Sequence, residues 1–511
     1  MDDNTPRPSL SAASPVLVVG AGLMGAGIAQ VAAFAGHAVF LHDARDGAAA
    51  QAKAQLAATF DSLVAKGRLE ADAATAALAR ITPVDTLDVA AGAALVVEAI
   101  VEDLAAKRTL FARLEGIVGA GCVLATNTSS ISVTAIARGL QQPGRLVGMH
   151  FFNPVPLMKL VEVVSGLATD AAVADAVFDL SKAWGKTPVH AKSTPGFIVN
   201  RIARPYYAEA LALLLEQAAT PAVLDACHRA AGFRMGPCEL MDLIGHDTNL
   251  AVTISVFEAN FQDKRYMPST LQREMVDGGL LGRKSGHGFY RYPPGAEALP
   301  VAVHEAPATA REVTVHGSGA IADFLEQAAT KALASQGWGP ARLRDSGWTG
   351  VEIDGARLML TDGRTAAEVA AALKLTNVAV FDRPLLLPAA PGTALAYAVA
   401  GEAGRAQAGA WLAAFGFTPL PVADTPGLVV ARTVAMLINE AADAVQQGVC
   451  DEAGADAAMK LGVNYPAGPF EFLSRWSVGE VVALLDALAF HHRGERYRVS
   501  PWLRIRSPQA R

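Results

Sequence analysis

The regular pattern of this chain begins with a run of apolar residues that is followed at once by closely spaced glycines. Residues 16–19 read VLVV, a largely β-branched run of the kind found in strands buried on both faces. Glycines follow at the G-x-G-x-x-G spacing, and a helical pattern then continues to about Phe34. Such glycines allow a tight turn, close approach of a pyrophosphate, and close packing of helix on strand. The cofactor contacts predicted in this loop are Gly20, Gly22, Leu23, Met24 and Gly25.

The second predicted strand, HAVFLHD, ends at Asp43, which lies 23 residues after Gly20. A carboxylate near this position accepts hydrogen bonds from the ribose hydroxyls and repels a 2′-phosphate, so the sequence predicts NAD rather than NADP. Arg45 points the other way, because an arginine can accommodate the 2′-phosphate. The alanine-rich residues 47–80 then follow at helical period and predict a helical arm.

The next apolar runs, ALVVEAI, CVLATNT, RLVGMHFF and KLVEVV, predict further strands of one doubly wound sheet. His150 lies at the end of the third run, the chain turns at Asn153 and Pro154, and Glu162 lies in the fourth run. Adjacent strands would bring His150 and Glu162 together, and a carboxylate fixes the tautomer of a histidine that takes a proton from an alcohol. In the alternative, His150 only caps a strand and Glu162 lies in solvent.

Long helical patterns begin beyond residue 190, and one of them is repeated. TPGFIVNR recurs 231 residues later as TPGLVVAR, and the same offset places Arg201 on Arg432 and Glu209 on Glu440. An internal repeat of this kind indicates two related helical domains. Between them, segments that include EVTVHGSGA predict a small α/β unit with a worn glycine loop and no second phosphate site.

The predicted fold is therefore α/β, with an N-terminal Rossmann-type doubly wound sheet followed by two related all-α domains that a small α/β region separates. The predicted domains are an NAD-binding domain at 1–190, a first helical domain at 191–295, an intermediate region at 296–420 and a second helical domain at 421–511.

Composition and charge narrow the class of protein. The 511 residues carry a formal net charge of -6, which gives no basic footprint for nucleic acid. The four cysteines show no C-x-x-C pattern, so neither a disulfide framework nor a zinc site is predicted. The first fourteen residues are unlike a secretory signal, and no apolar stretch is long enough to span a membrane. We expect a cytoplasmic protein that uses no metal and contacts neither nucleic acid nor a membrane.

Six ordered motifs, GAGLMGAGIAQ, VVEAIVED, TNTSS, HFFNPVPLMKLVEVV, TPGFIVNR and GRKSGHGFY, resemble the L-3-hydroxyacyl-CoA dehydrogenase family. The resemblance implies that His150 and Glu162 are the catalytic pair and that Ser129 and Asn200 hold the substrate for catalysis. Without it, Ser129 is explained as a helix cap and Asn200 as a polar position on an amphipathic helix. The other residues that it implies are Glu102, Lys107 and Asn127 for the cofactor and Asn153 for the substrate.

The same resemblance implies an NAD-dependent oxidation of an L-3-hydroxyacyl-CoA to the 3-oxoacyl-CoA, in a long bacterial form with a duplicated C-terminal domain. Long forms of this kind act on 3-hydroxyadipyl-CoA in phenylacetate breakdown, and others act on 3-hydroxybutyryl-CoA, both within the chemistry of fatty-acid β-oxidation. Two alternatives stay open. One is a dehydrogenase of a free hydroxy acid or sugar acid, and the other is a non-catalytic NAD-binding protein.

The second helical copy is predicted to be structural. Ala431 stands where Asn200 stands in the first copy, and the sequence before it shows neither an intact glycine loop nor a counterpart of HFFNP. The apolar pattern is kept, and single-module members of the family are understood to dimerise through this domain. We therefore expect residues 421–511 to pack on 191–295 as an intrachain pseudo-dimer, with further homo-oligomers left open.

Five basic residues are candidates for contacts with the phosphates of CoA, although charged residues at such positions are more often only solvated. They are Arg283 and Lys284 of GRKSGHGFY, and Lys53, Lys66 and Arg68 of the helical arm.

Overall fold

The first part of the chain alternates strands and helices, as its apolar runs predict. The computed structural model describes residues 8, 10–296, 299, 307, 309–390, 392–401 and 404–507. In chain order, the elements up to residue 202 are β1 (Val16–Val19), α1 (Leu23–Phe34), β2 (Val39–His42), α2 (Ala48–Ala65), α3 (Ala71–Ala79), β3 (Ile81–Val84), β4 (Leu95–Glu98), α4 (Leu104–Glu115), β5 (Val123–Thr126), α5 (Val133–Ala137), β6 (Leu146–Phe151), β7 (Leu160–Ser165), α6 (Ala171–Ala183), β8 (Thr187–Lys192) and α7 (Val199–Ile202).

These eight strands form one sheet in the order β3-β2-β1-β4-β5-β6-β7-β8. The first six are parallel, β7 is antiparallel to β6, and β8 is parallel to β7. Strands β1 and β4 lie at the centre and are buried along their whole length, which explains their unbroken apolar runs. The predicted Rossmann-type doubly wound sheet is confirmed.

The rest of the chain contains the helical copies and the α/β region between them. Its elements are α8 (Arg204–Leu215), α9 (Pro221–Ala230), α10 (Pro237–Ile244), α11 (His246–Ala259), α12 (Thr270–Asp277), β9 (Val313–His316), α13 (Ala320–Leu333), β10 (Ala341–Leu343), β11 (Gly350–Ile353), β12 (Ala356–Leu360), α14 (Ala366–Leu373), β13 (Val378–Phe381), β14 (Thr393–Val399), α15 (Arg405–Ala414), β15 (Phe417–Pro421), α16 (Val430–Gln446), α17 (Glu452–Val463), α18 (Pro469–Ser474), α19 (Val478–His492) and α20 (Pro501–Arg506).

The α/β region between the helical copies is a seven-stranded sheet in the order β10-β9-β11-β12-β13-β14-β15. Along β12-β13-β14-β15 the pairing is parallel, antiparallel and parallel, which is the sequence of pairings along β5-β6-β7-β8. The intermediate region therefore repeats the half of the first sheet that precedes the TPG motif.

The chain divides into two units. The described residues up to 201 form the first unit together with residues 444–463, and the described residues of 202–443 and from 464 onward form the second. Helix α17 of the second helical copy packs in the first unit against β7 and β8. The domain boundaries drawn from the sequence stay predictions. Within the described residues, the helices lack the length and apolar character needed to cross a membrane.

Candidate active site

The glycine loop keeps side chains away from the start of α1. Gly20 has a φ of 106°, and a Cβ atom there would lie 2.4 Å from the carbonyl oxygen of Ala99. A Cβ on Gly25 would lie 1.7 Å from the carbonyl oxygen of Gly20, so both positions require glycine. Nothing lies within 4 Å of a Cβ on Gly22, which leaves the N–H groups at the start of the helix open to a phosphate.

A cavity of about 450 Å³ adjoins this loop, and its size and position fit part of a dinucleotide. Leu23 is 73% exposed at the cavity, whereas Met24 packs against the hydrophobic core. Asn153, which was predicted to bind the substrate, lines this same cavity. The loop residues predicted for the cofactor therefore surround one space, apart from Met24, which supports the helix from the core side.

Asp43 links the end of β2 to the glycine loop. Its Oδ2 accepts a hydrogen bond from the N–H of Ala21 at 2.8 Å, and Arg45 donates to the two carboxylate oxygens at 3.0 and 3.2 Å. The side-chain hydrogen bond from Arg45 lowers the pKa of Asp43 to about 2, so this acid is ionised near neutral pH. The arginine that could accommodate a 2′-phosphate is therefore paired with the carboxylate that would repel it.

His150 and Glu162 lie directly opposite each other on β6 and β7. The His150 Nδ1 is 2.5 Å from Glu162 Oε2, and Glu162 is fully buried rather than in solvent. Its other oxygen accepts hydrogen bonds from the N–H groups of Ile198 and Val199 at 3.1 and 2.9 Å. Because Nδ1 faces the carboxylate, we assign the imidazole proton to Nδ1, which leaves Nε2 as the nitrogen that can accept a proton.

Glu102 organises the TNTSS loop that follows β5. Its Oε1 accepts hydrogen bonds from the Thr128 hydroxyl at 2.7 Å and from the Ser129 N–H at 2.8 Å, while Lys107 Nζ lies 3.1 Å from its Oε2. Burial raises the pKa of Glu102, but Lys107 and these hydrogen bonds together lower it below its ordinary value. The Ser129 carbonyl accepts a hydrogen bond from Asn200 Nδ2 at 3.3 Å, so the two predicted substrate residues are neighbours.

Two residues predicted for the cofactor instead support the sheet. Lys107 is buried with Nζ 2.6 Å from Glu98 Oε1, and Asn127 Oδ1 accepts a hydrogen bond from the N–H of Phe151 at 2.9 Å. Glu98, which also accepts from the Thr126 hydroxyl at 2.7 Å, was not predicted from the sequence. The only signal for it was a single charge inside the apolar run ALVVEAI.

The five basic candidates for CoA phosphates do not form one cluster. Arg283 and Lys284 are paired with acids, Glu239 at 3.0 Å and Asp247 at 2.7 Å. The other three, Lys53, Lys66 and Arg68, are not among the described residues that line the 450 Å³ cavity.

Within the first unit, the structure thus places a histidine with a buried carboxylate partner, a loop held by a second carboxylate, and an open glycine loop. A neutral histidine held in this way can take a proton from a hydroxyl group. An open helix N-terminus behind a glycine loop can bind a dinucleotide phosphate.

Models of known families match most of the chain. A 3-hydroxyacyl-CoA dehydrogenase NAD binding domain matches residues 15–194, and the C-terminal domain of the same enzymes matches 196–292 and 427–508. A 3-hydroxybutyryl-CoA dehydrogenase reduced Rossmann-fold domain matches 358–426. The last match agrees with the partial repetition of the first sheet seen in the intermediate region.

Individual relatives are similar over almost the whole chain. A 3-hydroxyadipyl-CoA dehydrogenase from Escherichia coli K12 is 44% identical over 494 residues, which cover 96% of this chain and 97% of that protein. A 3-hydroxybutyryl-CoA dehydrogenase from Clostridioides difficile is 40% identical over 54% of this chain and 98% of its own. A crystal structure of 3-hydroxybutyryl-CoA dehydrogenase from E. coli K12 superposes with a TM-score of 0.86 at 42% identity, covering 97% of this chain and 98% of that chain.

Proposed function

This chain belongs to the 3-hydroxyacyl-CoA dehydrogenase family, and we propose that His150 and Glu162 carry out the proton transfer of its reaction. The family confirms the predicted enzyme class, an NAD-dependent oxidoreductase that converts an L-3-hydroxyacyl-CoA to the 3-oxoacyl-CoA, and it confirms NAD as the cofactor. The observation that carries the proposal is the 2.5 Å contact between His150 Nδ1 and Glu162 Oε2 on neighbouring strands.

NAD, when bound, accepts the hydride that leaves C3 of the substrate. His150 accepts the proton of the 3-hydroxyl group on Nε2 as the carbon becomes a ketone. Glu162 stabilises the imidazolium that forms, and the N–H groups of Ile198 and Val199 hold this carboxylate in place. In the reverse direction the protonated His150 returns its proton to the substrate oxygen.

We propose that Ser129 and Asn200 hold the oxygen on C3 of the substrate. Glu102 fixes the backbone of Ser129, and Asn200 donates to the Ser129 carbonyl, so the two side chains are oriented before a substrate arrives. Positioning of this kind lowers the barrier by restricting the reacting groups to a productive geometry.

We also propose that Asp43 makes the enzyme prefer NAD to NADP. The carboxylate is ionised and lies beside the glycine loop, where it would repel a 2′-phosphate. Steady-state kinetics with both cofactors test this, and a comparable kcat/KM with NADP would contradict it.

The substrate proposed is 3-hydroxyadipyl-CoA, with 3-hydroxybutyryl-CoA as the second candidate. The first choice is supported by the full-length relative from E. coli, whose name specifies 3-hydroxyadipyl-CoA. The second is supported by two 3-hydroxybutyryl-CoA dehydrogenases, the relative from C. difficile and the enzyme in the E. coli crystal structure. NADH formation should be measured in parallel with both thioesters and a free 3-hydroxy acid. Turnover of the free acid alone would favour the alternative dehydrogenase function.

The two helical copies are proposed to form a pseudo-dimer within the second unit. The supporting observation is a pair of reciprocal contacts related by the offset of 231 residues, as in an isologous interface. The contacts join Glu209 to Arg496 and Tyr497, and Glu440 to Arg265 and Tyr266. Truncation at about residue 295 should therefore give a fragment that aggregates or dimerises, and a monomeric, fully active fragment would contradict the proposal.

A cytoplasmic location is also proposed. All four cysteines are free thiols, as expected in a compartment that keeps thiols reduced. Fractionation of the source cells with immunodetection of the chain would test it.

A further inference from the structure

A cavity of about 240 Å³ lies in the second unit, among α8, α11 and the segment that leads into α12. One side is apolar, with Leu211, Leu215 and Pro268 among its residues. The polar residues that line it are Arg204, Tyr207, Asn249, Thr253, Ser269 and Gln272. The cavity therefore offers an apolar wall to a hydrocarbon chain and polar groups to a head group.

Arg204 is the dominant charged group among these polar residues. It is 6% exposed, its Nη1 donates to Thr253 Oγ1 at 3.1 Å, and its guanidinium lies 4.8 Å from the centre of the Tyr207 ring. Burial lowers the pKa of Arg204, which reflects the free energy required to keep this cation out of water. A planar guanidinium with five donors suits a carboxylate, which it can bind through two parallel hydrogen bonds.

The charge balance of the cavity favours an anion. Arg496 is a second guanidinium in the lining, and no Asp or Glu side chain is among the described residues there. An acyl-CoA that ends in a methyl group would place only apolar atoms against Arg204, whereas a dicarboxylic acyl chain would place an opposite charge there.

Ser269 supplies an independent sign of a missing polar ligand. Its Oγ is enclosed, and the described part of the chain contains no hydrogen-bond partner for it. Buried hydroxyl groups in folded proteins are almost always hydrogen-bonded. By contrast, the neighbouring Gln272 and Asn249 side chains are bonded to each other at 3.1 Å.

The position of Arg204 in the sequence agrees with a role at the far end of the substrate. It follows Asn200 by four residues. Four residues span at most about 14 Å even when fully extended, which is a distance that a six-carbon acyl chain and an arginine side chain together can cover.

We propose that this cavity binds the free carboxylate of a dicarboxylic 3-hydroxyacyl-CoA, with Arg204 as the specificity-determining residue. The inference rests on the proposed function, because it assumes that the chain oxidises acyl-CoA thioesters. It selects among them the class that carries a second carboxylate.

The test compares Arg204→Gln with the wild type on 3-hydroxyadipyl-CoA, 3-hydroxyhexanoyl-CoA and 3-hydroxybutyryl-CoA. The hexanoyl substrate has the same chain length as the adipyl substrate but ends in a methyl group. We expect the wild type to prefer the adipyl substrate at least tenfold over the hexanoyl one in kcat/KM. Arg204→Gln should lower the adipyl value about 100-fold and change the other two less than threefold. Arg234→Gln, at an exposed arginine, is the matched control and should change none of them.

A second variant tests the same cavity without removing a buried charge. Ser269→Ala should lower kcat/KM for 3-hydroxyadipyl-CoA about fivefold, with the melting temperature and the hexanoyl value unchanged. Equal losses on all three substrates, or a wild type without preference for the adipyl substrate, would overturn the proposal. A wild type that forms no NADH with any of the thioesters would instead overturn the proposed function.

Discussion

The two TPG motifs introduce their helical copies in the same backbone conformation, but behind different side chains. Gly196 and Phe197 have φ values of 77° and 47°, and Gly427 and Leu428 have 71° and 54°. A positive φ is unusual for any residue with a side chain, so the shared strained turn identifies the copies as one structural device. In both copies a buried carboxylate accepts hydrogen bonds from the N–H groups that follow this turn.

The two carboxylates come from different strands. Glu162 pairs with Val189, five residues before the first TPG, and the equivalent position in the second sheet is Ala396, which pairs with Leu420. The residue opposite Ala396 is Asp382, whose N–H donates to the Ala396 carbonyl. Asp382 therefore occupies the place of His150, and it reaches the backbone donors that Glu162 reaches in the first copy.

The loops that follow β5 and β12 show the same relation. The N–H of Ser130 donates to the Thr128 hydroxyl at 3.4 Å, and the N–H of Gly363 donates to the Thr361 hydroxyl at 3.2 Å. This equivalence places Asp362 where the first copy has Ser129. The second copy has thus kept the carboxylate that organises the turn and has replaced each predicted catalytic group. The folding role and the chemical role of this site are separable.

The largest effect we expect is the loss of turnover in His150→Ala, by at least a thousandfold in kcat or about 4 kcal/mol in the barrier, because the variant lacks the nitrogen that accepts the proton. Binding of NAD should stay within threefold, and Glu162→Gln should also be severely slowed. The matched variant Asp382→Ala should keep kcat within twofold per folded molecule. Steady-state kinetics and calorimetry with NAD check this, and a His150→Ala variant with a tenth of the wild-type kcat would rule out His150 as the base.

The converse prediction concerns stability. Asp382→Ala should lower the free energy of unfolding by about 4 kcal/mol, because it leaves three buried N–H groups unpaired at about 1–3 kcal/mol each. These groups belong to Val429, Val430 and Ala431, and they lie 3.1, 2.6 and 2.9 Å from the carboxylate oxygens. Asp382→Asn keeps an acceptor and should lose about half as much. Urea unfolding measures both, and equal stability of wild type and Asp382→Ala would show that the carboxylate does not hold the turn.

The sequence could predict the His150 and Glu162 pair because both residues interrupt apolar runs that are recognisable as strands, and a short turn joins them. It could not predict Asp382, whose partners are backbone N–H groups 47 to 49 residues away, and backbone donors leave no trace in residue identity. The same limit explains the missed counterpart of HFFNP, because DRP shares no side-chain chemistry with it. The placement of residues 444–463 in the first unit was also missed, since an apolar helix face does not specify its partner.

The reciprocal contacts between the copies provide a prediction on acid stability. Burial raises the pKa of Glu209, but Arg496 and Arg432 lower it to about 2 from its ordinary value of 4.5. Because the pKa is depressed in the folded state, the contribution of Glu209 to stability is complete above pH 5 and is lost as the pH falls toward 2. The loss amounts to about 3 kcal/mol.

Unfolding free energies of the wild type and Glu209→Gln should therefore converge between pH 5 and pH 2, because the variant has no group to protonate at this site. Glu440→Gln, at the equivalent position of the second copy, is the matched variant for the loss of a buried ion pair. Parallel pH profiles for the wild type and Glu209→Gln would show that Glu209 does not stabilise the pseudo-dimer as a charge.

The smallest effect is expected at the second glycine loop. Gly317 follows β9 as Gly20 follows β1, and each N–H donates to the last residue of the neighbouring parallel strand, at 2.9 Å to Leu343 and 2.8 Å to His42. The residue after β10 is Arg344, whereas the residue after β2 is Asp43, so the second loop lacks the acid that selects the ribose. We expect one NAD per chain and no change beyond 1.5-fold in its Kd when a charge is introduced by Ser318→Glu. Gly22→Glu, at an open position of the first loop, should weaken NAD strongly by repelling the pyrophosphate. Calorimetry that found two NAD molecules per chain, or a Kd altered by Ser318→Glu, would show that the second loop still binds a nucleotide.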